Sequence, residues 1–473
     1  MRFFSIDLVT TTIPVTLLEA LAIGGLTSKQ KIGAKLIIAN FLHNGLDAIL
    51  AITLGKTNYT INMYNPAQIG HDAFKAAYTK LVALGVIEVV YAATPADAGK
   101  RSTEIVLSED AKHKIEEFLQ ENEIAKPIMS QDYEPIRLRA YTKPSTTSLN
   151  PYADDAEPVK TLVNYAPSTD SNREKGFIKA YNNFLHKASI ACEIPDDVRE
   201  QHIASSNELD PDKKKDKLSL ISLADNLHAN ACYLYRYFIA HDDFVKGDKF
   251  PTDAKRLGGR FYCYHFQNLP QTFRKYITID NEPTIEIDYS SMHLNILYLR
   301  NPAHPPFMQD YRGFLYKEVP NPSIEGECFK KGFIKPFFII GINCKSRDSI
   351  TATIRKHEKE IVTKIKNAGY RLGSILDAIH KALPFTQGIL GSEPIGLRLQ
   401  YEDSVICKEV LAQAKREGIV LLPIHDSFIC QAQHKHIVKD IMIRCLLSCY
   451  SYNPAHYDLA MLKDRLLKVK RAS

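Results

Sequence analysis

Three polar residues stand inside an apolar run at LPIHDSFIC, residues 422–430. Leu422, Pro423 and Ile424 precede His425-Asp426-Ser427, and Phe428, Ile429 and Cys430 follow. A short apolar run of this kind reads as a buried strand. A carboxylate buried there without a partner is costly. Two arrangements remove the cost: the triplet lies in a solvent-exposed turn, or Asp426 is neutralised by a bound cation. The nonapeptide fits both, so the remainder of the chain has to decide.

A second stretch poses the same problem. In TIEIDYSSMHLNILYLR, residues 284–300, Thr284 to Ile287 alternate as strands do and Asp288 ends the run. SSMHLNILYL then has helical spacing. A carboxylate at a strand-to-helix junction projects into a cleft. Two such carboxylates on neighbouring strands can share a pair of hard divalent cations, which prefer oxygen ligands. Two metals so placed clamp the attacking and leaving oxygens of a phosphoryl displacement. Between the two acidic strands lies FKKGFIKPFFIIGINCKSRDSI, residues 329–350. Lys331 and Lys335 are four apart and share a helix face. Lysines for phosphates and aspartates for metals are what a nucleoside triphosphate requires.

Composition sets the frame. At 473 residues the chain predicts two or three domains. The net charge of +6 is mildly basic, compatible with nucleic acid. Nine cysteines include no CxxC pair, and Cys445 and Cys449 are spaced CxxxC in a predicted helix. That usage points to a reducing compartment and away from a disulfide scaffold or zinc ribbon. No run of 18 apolar residues suggests a membrane span. Asp7 and Glu19 make the N-terminal stretch a poor signal peptide. The expectation is an intracellular, cytoplasmic protein with no membrane partner.

Along the chain, SKQKIGAKLIIANFLHN from Ser28 predicts a helix with Ser28 as N-cap. IGHDAFKAAYTKLVALG predicts a second, with Phe74, Tyr78, Leu81 and Leu84 on one face and Gly85 as its stop. The strand VIEVVYA, the loop ATPADAGKR, the strand STEIVLS and the helix EDAKHKIEEFLQ follow. The order resembles a winged-helix domain, over residues 1–125. The resemblance implies that the second helix enters a DNA major groove and that Lys100-Arg101 on the wing touches phosphate. A winged helix serving protein contacts has the same pattern. Residues 126–173 read as a linker, rich in Pro, Ser, Thr, Asn and Asp. Residues 174–250 read as helical, broken at a solvated DPDKKKDK turn. Residues 251–473 alternate strands and helices, and the basic C-terminal LKDRLLKVKRAS reads as a solvated tail.

The order of these stretches resembles the palm and fingers of A-family DNA polymerases and the related single-subunit RNA polymerases, over about residues 255–450. DYSSMHLNILYL is similar to that family's motif A and IHDSF to its motif C. Lys335, followed eight residues later by Asn343, is similar to motif B. GGRFYCYHFQNLP, residues 258–270, with Arg274 beyond it, is similar to the upstream GR…QN-I/L-P stretch. The resemblance implies an α+β right-hand polymerase core, with an antiparallel palm sheet and helical fingers, and a thumb at 174–250. It implies template-directed nucleotidyl transfer with two Mg²⁺ ions, for which Mn²⁺ can substitute. Asp288 and Asp426 become metal ligands. Lys335 becomes the triphosphate contact and proton donor to pyrophosphate, with Lys331, His293 and Asn343 as further nucleotide contacts. Arg260, Gln267, Arg274, Gln400 and His425 become contacts to template or primer. The partners implied are a DNA template, nucleoside triphosphates and a primer or nascent strand.

Three departures lean toward ribonucleotides. His293 stands where the DNA polymerases have glutamate. Asn343 and Cys344 stand where they have tyrosine and glycine. Ser427 stands where motif C commonly has a further glutamate. His293 and Asn343 are both able to hydrogen-bond a 2′-hydroxyl. The reading is therefore a primase or RNA polymerase of a phage, plasmid or other mobile element. An ordinary DNA polymerase, a template-independent terminal transferase and a non-catalytic DNA-binding protein with a relict palm remain alternatives.

Overall fold

The computed structural model describes residues 2–3, 8, 10, 12–52, 54, 63–93, 102–124, 130, 132–142, 159–241, 243–301 and 331–470. Among them lie two apolar cores, one drawn from residues 8–115 and one running from Tyr64 and Ile136 to Leu467.

The first core is enclosed by the helices Val15–Ala20, Ser28–Asn44, His71–Ala83 and Glu109–Glu121 and by a small sheet. Its strands are β1 (Arg2–Phe3), β2 (Leu50–Ile52), β3 (Ile87–Tyr91) and β4 (Thr103–Leu107), in the order β1-β2-β4-β3. The expected succession of helices and strands is present. The cap of Ser28–Asn44 is Thr27, not Ser28. Thr27 is extended, its hydroxyl accepts from Gln30 N, and the Gln30 side chain accepts from Thr27 N. That reciprocal pair leaves Ser28 as the first helical residue. In His71–Ala83, Phe74, Ala77 and Leu81 face the core, while Leu84 lies past the helix end and is exposed. Gly85, at φ +66°, closes the helix as its sequence implied. Lys100 and Arg101 lie outside the described residues.

The expected linker is not one throughout. β5 (Ile136–Thr142) and β6 (Val159–Leu162) fall inside it and pair antiparallel. Ile136 and Leu138 point into the core, and Arg137 and Arg139 lie against the rings of Tyr235 and Tyr237. The two-residue period of IRLRAYT is a strand signal that the Pro- and Ser-rich composition after it outweighed. β7 (Ile190–Cys192) and β8 (Tyr235–Ile239) likewise lie in the stretch expected to be wholly helical. The DPDKKKDK stretch is not a turn. It starts the helix Pro211–Asp225, with the Asp210 side chain accepting from Lys213 N and Pro211 in the first turn. β8 runs parallel to β5 and antiparallel to β9 (Leu257–Tyr262), giving the order β6-β5-β8-β9.

The largest sheet is antiparallel. Its strands are β7, β10 (Ile277–Ile279), β11 (Glu282–Tyr289), β12 (Leu422–Ile424), β13 (Ser427–Gln431) and β14 (Leu467–Lys470). They run β12-β13-β11-β10-β7, with β14 paired to the far half of β11. The C-terminal stretch is thus no solvated tail. Asp458 caps the helix Leu459–Leu466, whose Leu462 and Leu466 are buried, and β14 joins the sheet. The alternation LKVK placed beside an open strand edge explains the difference. The described chain is a mixed α and β structure with separate, mainly antiparallel sheets.

One buried polar network ties these parts together. Arg236 on β8 is the largest fully buried side chain. It pairs with Glu174 on the helix Thr169–Leu185, and donates to Gly259 O at 2.7 Å and to Ser404 Oγ at 2.7 Å. Lys408 Nζ also donates to Glu174, at 2.8 Å. Ser404 and Lys408 belong to the helix Gly396–Arg416. Burial works to raise the Glu174 pKa, but Arg236 and Lys408 outweigh it and hold the group below its ordinary value. A carboxylate held down in the fold stabilises above its unfolded pKa and loses that contribution as pH falls through the folded one. Glu174→Ala should cost about 3–5 kcal/mol in urea unfolding at neutral pH, because Arg236 keeps its charge without a counterion. A loss below about 1 kcal/mol would show that the network is not a keystone.

Candidate active site

The two acidic stretches come together. β11 and β13 are adjacent and antiparallel, with Asp288 opposite Ser427. Tyr289 N donates to Asp426 O at 3.2 Å. Ile424 pairs with Ser427, so His425 and Asp426 form a two-residue hairpin turn between β12 and β13. His425 has φ +60°, a left-handed conformation that glycine usually supplies at the first position of such a turn. The first two residues of the polar triplet are therefore the turn and Ser427 opens β13, and the turn brings Asp426 near enough for its charge to act on Asp288. Strand β11 runs one residue past Asp288. Ser291, also left-handed at φ +53°, then opens the helix Met292–Leu299.

Electrostatics marks this place. Burial, and then the charge of Asp426, pushes the Asp288 pKa up to about 6. Burial and the neighbouring Asp403 raise that of Asp426. Burial, with Arg260 adding, lowers the His425 pKa to about 4, so the ring is neutral at physiological pH. His425 Nδ1 is buried with no hydrogen-bond partner, and the ring meets Tyr262 edge-on at 5.4 Å. Buried like charges side by side with perturbed pKa values are a signature of chemistry or of cation binding.

The upstream stretch supplies the wall. Gly258 and Gly259 have φ +72° and +76°, and the β8–β9 register shifts there. A Cβ on Gly259 would lie 2.7 Å from Phe238 Cε1. Only glycine lets β9 approach β8 this closely and aim Arg260 at Asp403. Arg260 Nε lies 3.0 Å from Asp403 Oδ2, and His293 Nε2 lies 3.0 Å from the same oxygen. Arg260 and His293 are themselves 3.2 Å apart. Gln267 Nε2 donates to Pro423 O at 2.7 Å, and its oxygen accepts from Cys263 N at 3.1 Å, bracing the turn strand from below. Arg274 donates to Glu286 Oε2 at 3.0 and 3.1 Å.

Several expected nucleic-acid contacts therefore have internal partners. Arg260 is committed to Asp403, Gln267 to β12 and Arg274 to Glu286. His425 stands beside Asp426, and Gln400 is half-buried on the helix Gly396–Arg416. Lys331 and Lys335 are on one helix, Lys331–Gly341, with Lys335 exposed; the Lys331 side chain lies outside the described residues. The helix does not begin after Pro336 but contains it. Ile334, Phe337 and Phe338 pack inward. Asn343 is exposed beyond the helix end and donates to Ile339 O at 2.8 Å, close against Gly396. His293 is turned to Asp403.

Three groups were not foreseen: Asp403, Glu286 and Lys470. Asp403 shares the buried stripe Leu399, Ile406 and Val410 at helical spacing. A carboxylate on an otherwise apolar face is a signal readable in sequence. Glu286 shares a β11 face with Asp288, two residues away, and accepts from Ser427 Oγ at 2.8 Å. Nothing local in LKVK indicates that Lys470 reaches both of them.

No protein-family profile matches the chain, and no curated protein sequence is significantly similar to it. No helix among the described residues is long and apolar enough to cross a membrane.

The donor chemistry fits a hard cation. Asp288 and Asp426 both offer carboxylate oxygens, and burial raises the pKa of each, an effect that a bound cation would oppose. Among the described residues no three His, Cys, Asp or Glu side chains form a ready metal cage. The remaining positions would fall to water and substrate oxygens, which suits Mg²⁺. In metal-free protein, the raised Asp288 pKa means that the folded state holds this proton more tightly than the unfolded one. The contribution is present below the unfolded value of about 3.9 and lost as pH rises to about 6. In chelator, the melting temperature of the native chain relative to Asp288→Asn should therefore fall across that interval. A difference independent of pH would overturn the assignment of Asp288 as the raised group.

Proposed function

We propose that the protein is a template-directed nucleotidyltransferase acting on DNA, ribonucleotide-capable, with Asp288 and Asp426 as its metal-binding carboxylates. The observation that carries the reading is the pairing of β11 with β13. It brings together two carboxylates, distant in sequence: burial raises the pKa of both, Asp426 raises that of Asp288 further, and Asp403 that of Asp426. Bound there, divalent cations would activate a 3′-hydroxyl and neutralise the triphosphate in its attack on the α-phosphate, with release of pyrophosphate.

The chain's own residues divide the remaining work. The left-handed turn at His425 fixes where Asp426 points, and Gln267 braces that turn from β12. His425, neutral and with an unpaired Nδ1, faces the nascent end as a hydrogen-bonding group. Asp403 fixes Arg260 and His293 together at the wall of the cleft. Lys335, exposed on its helix, is the cation for the triphosphate. His293, in place of the family's glutamate, removes an acidic barrier to a ribose 2′-hydroxyl. In the N-terminal unit, the helix His71–Ala83 offers a shallow face of Asp72, Lys75, Ala76, Thr79, Lys80 and Ala83, with the acidic residue at its N-terminal end. Small residues flanked by lysines suit a duplex groove, and this face is proposed to bind the DNA. The whole fits a replication or priming enzyme of a mobile element.

Extension of a primed DNA template, run with NTPs or dNTPs and with or without primer, tests the reading. Native protein should extend with NTPs. Asp288→Asn and Asp426→Asn should each lower the rate by about 10³-fold or more, since each removes several kcal/mol of metal-borne stabilisation. Undiminished synthesis by either variant would refute the two-carboxylate assignment. Strict rejection of NTPs would leave an ordinary DNA polymerase. Untemplated extension of a single strand would reveal a terminal transferase. His293→Glu should shift the NTP-to-dNTP preference toward dNTPs by about tenfold, the worth of one hydrogen bond. An unchanged ratio would remove His293 from sugar selection.

A further inference from the structure

The C-terminal strand delivers a cation to the site. β14 lies antiparallel on β11, with Lys470 opposite Glu286 and Lys468 opposite Asp288. Lys470 Nζ sits 2.7 Å from Glu286 Oε1 and 3.2 Å from Asp288 Oδ2. It is the one Lys or Arg in ion-pair contact with Asp288 among the described residues, and none is in such contact with Asp426. We infer that Lys470 is a built-in counter-cation that holds Asp288 in the metal-free protein and must leave it, onto Glu286, when a divalent cation binds. The inference rests on the proposed metal-binding role of Asp288.

The geometry makes that exchange practicable. The contact to Asp288 is the longer of the two, so the ammonium can give it up and keep Glu286. Glu286 can take the whole of it because two other side chains already fix its carboxylate, although Ser427 shares Oε1 with Lys470. Arg274 holds Oε2, and Ser427 Oγ fixes Oε1 from the opposite strand. An ammonium and a divalent cation cannot share one carboxylate oxygen without strong repulsion, so the metal and Lys470 compete for Asp288. Until metal arrives, the ammonium screens Asp288 from Asp426 and lets β11 and β13 pair. The C-terminal strand is then an internal competitor that sets how much free cation the site requires. Because β14 reports directly to Asp288, anything that peels this strand from β11 would raise metal affinity.

Direct binding of Mn²⁺ to the full chain, followed by calorimetry or by the resonance of free Mn²⁺, tests this without any turnover. Lys470→Met should bind Mn²⁺ several-fold more tightly than native protein. Its melting temperature should be lower in chelator and should rise further on adding Mn²⁺. Lys470→Arg, which keeps the charge, should bind as native protein does. Lys463→Met, which loses only a surface pair with Asp440 on the preceding helix, should also match it. If Lys470→Met fails to melt cooperatively, Lys470→Gln, which retains a hydrogen-bonding end, should show the same tightening. Equal or weaker Mn²⁺ binding by a folded Lys470 variant would overturn the inference and leave the proposed function standing. Absence of Mn²⁺ binding to native protein and variants alike would overturn both.

Discussion

The ion pair between Arg236 and Glu174 is the constraint on which the rest of the structure depends. A guanidinium this deeply buried needs every donor answered. Its partners come from three separate segments: Glu174 from the helix Thr169–Leu185, the carbonyl of Gly259 from β9, and Ser404 from the helix Gly396–Arg416, whose Lys408 also donates to Glu174. Satisfying one side chain therefore fixes β9 relative to that long helix. The residues next to these anchors are Arg260 and Asp403. Their contact follows from the network behind them, much as a supporting shell orients the groups in front of it.

A second constraint is repulsion. Four carboxylates, those of Glu286, Asp288, Asp403 and Asp426, gather around one strand pair. Arg260, Arg274 and Lys470 answer three of them by contact. Asp426 has no such cation in contact, and burial and then Asp403 raise its pKa. The site is thus built one positive charge short. A fold that leaves a carboxylate in that state at the tip of a strained hairpin stores a preference for an incoming cation, which is the physical basis of the nucleotidyltransferase reading. Specificity is a separate matter. The Arg260–Asp403–His293 cluster stands beside the turn and leaves one carboxylate shared by an arginine and a histidine.

Much of this site was legible in the sequence. Asp288 and Asp426 stood out because a carboxylate after an apolar strand contradicts its neighbours, and such contradictions mark function. Fold legibility was patchier. Helices with clear caps and strong periodicity were readable, whereas β5, β8 and β14 were not. IRLRAYT was hidden by the linker-like composition that follows it, YRYFI by the helical run ahead of it, and LKVK by its basic charge. Each is a short strand whose stability comes from a partner far along the chain, and local pattern carries no record of the partner.

The sequence by itself determined which side chains would be out of place in a core: Asp288, Asp426 and His425. Spacing and polarity suffice for that, because burial penalties act on each residue separately. Tertiary structure alone decided what answers them. It assigned Arg260 to Asp403, Arg274 to Glu286, Gln267 to the carbonyl of Pro423, and Lys470 to Asp288. An ion pair depends on distance in space, and sheet register, not chain order, set those distances.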